Sequence, residues 1–298
     1  MPVTKSFLLG AAAVATSMSL FAPASASAGA SLASVRVVTP YSGRADKNLM
    51  VQVEPSQGDN TSRSISVRYQ DGAFVFAGTT GMLPQPGPLD APDGNTCVQA
   101  GPQTVRCPVN LTDPAIVGTE FKVATGGGDD RIDLRVMPDL PGGALTQSTE
   151  ALYRGPARPD FSAGGGDDVV LTGAYDADGD LGNGADRLVG GPGRDGAAFF
   201  TQPGGGISGG RGPDRLIGGP GDDWLNGQLG DDFLKGDAGR DILVGGLGND
   251  SLHSRDGEVD LVSCGLGERS RQPIRQDRID KRLRHEGKPA HFGCTPTL

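Results

Sequence analysis

From residue 209 to residue 253 the chain repeats every nine residues. Gly209-Gly210-Arg211-Gly212-Pro213-Asp214-Arg215-Leu216-Ile217 is followed without a gap by residues 218–226, 227–235, 236–244 and 245–253. Positions one and four are always Gly, position six is Asp and position eight is Leu; position two is Gly in three units and Gln228 or Asp237 in the others. A flexible linker has no reason to keep Leu and Asp in phase, so the block is read as a folded repeat. Collagen is excluded, because the glycines are not at every third residue.

Each unit reads as six turn residues and three strand residues, with Leu pointing inward because strand side chains alternate. Two units then make one coil of 18 residues, and aspartates two units apart stack at about 4.8 Å. Asp214 is placed beside Asp232, Asp223 beside Asp241, and Asp232 beside Asp250. Asp232, flanked on both sides, is expected to matter most. Glycines at positions one, two and four are expected to adopt backbone conformations forbidden to other residues, turning carbonyls toward the same point, with Gly210, Gly212, Gly219, Gly221, Gly230, Gly239, Gly246 and Gly248 as the candidates. Carboxylates and carbonyls are hard oxygen donors, which suit Ca²⁺ at six to eight ligands better than Mg²⁺ or softer metals.

The block resembles the G-G-x-G-x-D-x-U-x nonapeptide of RTX (hemolysin-type) calcium-binding proteins. That resemblance implies an all-β fold, a parallel β-roll, with Ca²⁺ held in the turns. The ligand set it implies is Asp214, Asp223, Asp232, Asp241 and Asp250 with the turn-glycine carbonyls. Weaker copies at residues 181–189 and 190–198 keep Asp186 and Asp195 as further candidates. The ten residues 199–208 lack the Asp. They are expected to break the pairing of Asp186 with a later coil and to leave Asp195 near Asp214. Gly164-Gly165-Gly166-Asp167-Asp168 and Gly126-Gly127-Gly128-Asp129-Asp130 echo the turn. Asp176-Ala177-Asp178-Gly179-Asp180 is read as a solvated loop, since an EF-hand would need Gly where Leu181 stands.

Composition supports this frame. Of 298 residues 49 are Gly, hydrophobic residues make up 36%, and the formal charge is -9. Residues 163–253 hold 27 Gly, 15 Asp, no Glu and 6 Lys+Arg, so the whole net charge lies there. An acidic chain is a poor nucleic-acid partner. A conventional α/β enzyme core is not expected from this composition. Gly206-Ile207-Ser208-Gly209-Gly210 fits G-x-S-x-G only formally, because a nucleophile elbow needs a strand-to-helix turn. The chain is expected to be non-enzymatic.

Residues 1–28 read as a secretory signal peptide with cleavage after Ala28, and Ala26 as the alternative; no later stretch is apolar enough to span a bilayer. A secreted, extracellular location makes two disulfides the natural use of four cysteines. Proximity favours Cys97 with Cys107 and Cys264 with Cys294, with other pairings open. Residues 29–124 form a β-rich N-terminal region, with strands expected over 49–53, 65–69, 74–76, 104–106 and 121–123 and no regular structure over 81–92. Residues 125–262 form the roll, and residues 263–298 a basic cap in which Ile279 and Leu283 suggest a short helix over 277–286. This wider layout resembles secreted calcium-binding proteins of actinobacteria. Position seven carries Trp224, Phe233 and Ile242 facing outward. With the basic tail they raise a cell-envelope polymer or a protein as partner. An extracellular adhesin or surface-associated protein, and the carrier roll of a secreted hydrolase, are the alternative readings.

Overall fold

The computed structural model describes residues 31–38, 47–55, 60–78, 82–84, 97–111, 116–136, 159–196, 206–254, 256–264, 278–279 and 291–292. The expected signal peptide, Cys294 and most of the expected cap lie outside them.

The N-terminal region folds as β1 (Ser31–Val38), β2 (Lys47–Pro55), β3 (Ser64–Gln70), β4 (Ala73–Gly78), β5 (Met82–Pro84), β6 (Val98–Gly101), β7 (Thr104–Pro108), β8 (Ile116–Ala124) and β9 (Arg131–Val136). All five expected strands fall inside these elements. β5, however, lies within the proline-rich stretch expected to be irregular. It pairs parallel with β1 at a sheet edge, the place in a sheet where proline is tolerated. The pairs β1/β2, β3/β4, β4/β7 and β6/β7 are antiparallel.

From β2/β8 and β3/β9 onward every pairing is parallel. The roll continues through β10 (Pro159–Gly165), β11 (Val169–Leu171), β12 (Asp178–Asn183), β13 (Arg187–Val189), β14 (Ile207–Arg211), β15 (Arg215–Pro220), β16 (Trp224–Leu229), β17 (Phe233–Ala238), β18 (Ile242–Leu247), β19 (Ser251–His253) and β20 (Leu261–Ser263). β21 (Arg278–Ile279) and β22 (His291–Phe292) add one rung to each sheet. Among the described residues there are two eleven-stranded sheets, and from β8 onward successive strands alternate between them. Where a helix was expected around Ile279, the backbone of Arg278–Ile279 instead extends the ladder of β19.

The leucines of position eight are the core of the roll. Leu216 lies opposite Leu234 and Leu234 opposite Leu252 in one sheet, Leu225 opposite Leu243 in the other, all fully buried. Each buried leucine contributes about 1.5–3 kcal/mol. In the strict block the strands from β15 to β18 are six residues long, not three, because ladder pairing resumes at positions two and three of the next unit. Only positions four to six remain as turn. Trp224 and Ile242 are register partners on one sheet, with the chain at Gly206 packed over the indole. Phe233, on the other sheet, is covered by the Arg215 guanidinium at 4.0 Å and the His253 ring at 4.6 Å.

Candidate metal centre

The aspartates of position six form two buried rows, one along each edge of the roll. On the first edge the backbone N–H of Asp214 donates to Oδ1 of Asp232 at 2.8 Å, and that of Asp232 to Oδ1 of Asp250 at 3.0 Å. On the second edge Asp223 donates to Asp241 in the same way at 2.9 Å. These are the neighbours expected from an 18-residue coil. One carboxylate oxygen of each pair therefore satisfies a turn amide that would otherwise be buried without a partner.

The rows run further than the strict repeats. The first begins at Asp130 and continues through Asp168 and Asp186 to Asp214, with N–H to Oδ1 distances of 2.7, 2.7 and 2.9 Å. The second runs from Asp195 to Asp223 at 2.8 Å and ends at Asp260, which accepts the Asp241 N–H at 2.9 Å. Asp186 thus keeps a partner one coil later, and Asp195 lies beside Asp223 instead of Asp214. Both pairs are 28 residues apart, where most neighbours are 18 apart. The same amide-to-carboxylate bond therefore closes coils of two different chain lengths. Asp232 is not singular either, since Asp186, Asp214, Asp223 and Asp241 also have neighbours on both sides.

Asp130, Asp168 and Asp260 are members of the rows that sequence reasoning did not assign. The Gly-Gly-Gly-Asp-Asp echoes carried the signal for the first two. Asp260 follows Asp241 by 19 residues and so falls out of phase. At the head of the first row the register places Arg63 opposite Asp130. Its N–H donates to Asp130 Oδ1 at 2.6 Å, and its buried guanidinium donates to the Thr125 carbonyl.

The second oxygens carry the chemistry. Among the described residues, Oδ2 of Asp168, Asp186, Asp214, Asp223, Asp232, Asp241 and Asp260 is buried with no hydrogen-bond partner. Each of these residues is at most 2% exposed. Burial, and at most of these sites the neighbouring carboxylates, push the carboxyls up, to about 8 at Asp223, about 7 at Asp168, Asp214 and Asp241, and about 6 at Asp186, Asp232 and Asp260. An acceptor left open in a dry site is costly unless a proton or a cation meets it.

The glycines make room for this arrangement. A side chain at Gly236, position one, would collide with the Asp241 carboxylate; at Gly248, position four, it would strike the Gly230 carbonyl one coil below. The candidate glycines of positions two and four all have positive φ: 107° at Gly210, 118° at Gly212, 106° at Gly219, 149° at Gly221, 156° at Gly230, 135° at Gly239, 109° at Gly246 and 154° at Gly248; those of position one do not, and are needed there for space and not for conformation. Gln228 and Asp237 reach φ 72° and 76° at position two despite carrying side chains. Among the described residues no group of three or more His, Cys, Asp or Glu side chains gathers at one point. A cation here must draw on turn carbonyls as well as carboxylates, and a donor set of hard oxygens beside carboxylates lacking donors fits Ca²⁺.

A further row lies outside. At position five the exposed Asp222 accepts the Arg240 N–H at 2.9 Å and its guanidinium at 3.1 Å, and Asp231 accepts the Asn249 N–H at 2.8 Å. These carboxylates face water and hold turns in register. In the N-terminal region Cys97 and Cys107 form a disulfide with Cα atoms 3.9 Å apart, and the buried Cys264 is also disulfide-bonded.

A parallel β-roll whose turns align buried carboxylates defines the class of the molecule. The family model described as the RTX calcium-binding nonapeptide repeat (4 copies) matches residues 180–196, 207–234 and 227–258, and over these residues the chain carries RTX repeats. No curated protein and no solved structure matches the chain.

Proposed function

We propose that this is an exported, non-enzymatic calcium-binding protein whose roll is completed by Ca²⁺. The observation that supports it most directly is the run of buried Oδ2 oxygens without donors along both edges. Asp214, Asp223, Asp232, Asp241 and Asp250, with Asp186 on the first edge, would hold the ions together with turn-glycine carbonyls. A bound Ca²⁺ supplies the positive charge that lets stacked carboxylates stay ionised out of water. The residues themselves fix the turns: each Oδ1 holds an amide of the preceding coil, and each Leu seals the interior. One leucine per nine residues is worth less than the backbone entropy of ordering them, so ion binding to the folded form stabilises the roll by mass action.

The N-terminal apolar segment and the disulfides support an extracellular setting, where such modules bind Ca²⁺ at about 10⁻⁴–10⁻³ M. Among the described residues no helix is long and apolar enough to cross a membrane. Ser208 of the G-x-S-x-G match lies in β14, largely buried and bonded to the Gln228 amide, which supports the non-enzymatic reading.

Isothermal titration of the mature chain with Ca²⁺ tests the proposal, with saturable binding of several ions expected and no heat of binding overturning it. Asp232→Ala is expected to weaken binding far more than Asp222→Ala, because only Asp232 is buried in a row; equal losses would contradict the ligand assignment.

A further inference from the structure

One rung of the second row differs from the rest. Residues 172–180 form one nine-residue unit of the roll, and the expected loop Asp176–Asp180 lies inside it. Its register is fixed by the Gly196 N–H donating to the Ala177 carbonyl at 2.7 Å, as the Phe233 N–H donates to the Asp214 carbonyl at 2.8 Å. Ala177, 1% exposed, therefore stands where the other coils carry Asp, and its N–H donates to Asp195 Oδ1 at 2.9 Å. Thr172 stands at position one, where the strict units carry Gly. Its buried hydroxyl donates to Asp195 Oδ2 at 2.9 Å and accepts the Gly191 N–H at 3.2 Å.

A threonine at this position does not do so by default. Thr125 holds the same place on the first edge, but its hydroxyl donates to the Ala163 carbonyl at 2.9 Å and leaves Asp168 Oδ2 without a partner. At Asp195 both carboxylate oxygens accept hydrogen bonds from the chain itself, and of its two neighbours in the row only Asp223 carries a carboxylate, Ala177 offering a methyl group. A calcium ion between Asp195 and Ala177 would have to displace the hydroxyl and would gain one acidic ligand instead of two.

We propose that the Thr172 hydroxyl closes the second row at Asp195, so that this rung takes no calcium and the ions of that edge begin at Asp223. The proposal rests on the calcium reading above and assigns Asp195 a purely structural part in it: holding the Ala177 turn. The two edges then differ in ion number, and the coil at residues 172–180 keeps its shape without metal.

Titrating the full mature chain with Ca²⁺ separates the possibilities. Asp223→Asn is expected to remove an ion from the stoichiometry or to weaken a site by about tenfold or more, whereas Asp195→Asn, which keeps the Oδ1 acceptor, stays within about twofold of the parent. Equal losses in the two variants overturn the proposal while leaving the calcium reading intact. A parent chain that binds no Ca²⁺, or an Asp223→Asn variant without effect, overturns both. Should Asp195→Asn fail to fold by circular dichroism, the double variant Thr172→Gly/Ala177→Asp decides. It gives the coil the residues of the matched repeats and is expected to bind one ion more; an unchanged count overturns the assignment.

Discussion

The strands before residue 136 and the coils after residue 206 share the same two sheets but are held together by different means. In front, Phe74, Phe76 and Phe121 are buried together with Leu49, Ile65 and Val67, and the Phe74 ring lies 5.3 Å from Tyr69 and 6.3 Å from Phe121. A disulfide ties β6 to β7 at the edge. Behind, the interior is two facing files of leucines, one from each sheet, and the space a larger core would use is given to glycine backbone and carboxylates. The front satisfies the usual terms of a globular core. The roll exchanges apolar area for buried carboxylates, and on the proposed calcium reading its stability depends on what the solvent contains.

Chelation is the largest expected break in that comparison. With EDTA, amides of β15 to β18 should lose protection in hydrogen exchange while those of β3, β4 and β7 keep it. Simultaneous loss in both regions would show that the front depends on the ions too. Next in size, Leu234→Ala in saturating Ca²⁺ should destabilise the roll by about 2–5 kcal/mol, and Phe74→Ala the front by about 3–5 kcal/mol. In EDTA the leucine variant should change little further, because its coil is already open, whereas the phenylalanine variant should still be felt. Thermal melts followed in both buffers give the four values.

A smaller effect comes from pH. Carboxyls raised from 3.8 to between about 6 and 8 hold more protons in the folded roll than in the unfolded chain across that window. The metal-free roll is therefore at its most stable below the unfolded value and loses stability as pH rises through about 6 to 8. Calcium must displace the same protons, so its affinity should rise over the same interval. Titrations at pH 5.5 and pH 8, roughly the two ends of the range, should show tighter binding at the higher pH, and the reverse order would refute the protonation argument. Smallest of all, Asp237→Gly should stabilise the calcium-loaded protein by less than about 1 kcal/mol, relieving a side chain at φ 76° at the cost of an exposed pair with Lys235. A drop in the melting temperature would show that the ion pair outweighs the strain.

Much of this was legible from residues alone. Asp at six and Leu at eight, repeated five times, fixed the coil length, the partners of Asp232 and the buried leucine file, because a solenoid converts sequence period directly into spatial neighbours. What stayed hidden lay where the period fails. Asp130 and Asp168 are 38 residues apart, Asp186 and Asp214 are 28, and Asp241 and Asp260 are 19, yet each pair shares the same amide-to-carboxylate bond. Counting nines cannot find a register that a side chain enforces and the intervening chain does not. Ala177 and Thr172 escaped for the opposite reason: they keep the period but not the residue types. The length of the strands was missed because a positive φ at position two was taken as the mark of a turn, although the ladder resumes there.

The coil that closes over 28 residues has a practical meaning. An additional ten residues enter between Asp186 and Asp214 and neither the leucine file nor the rows shift out of step, so the interval between two such bonds behaves as a socket. The rows count rungs and not residues, so the chain between two such bonds is free to change in length without loss of register.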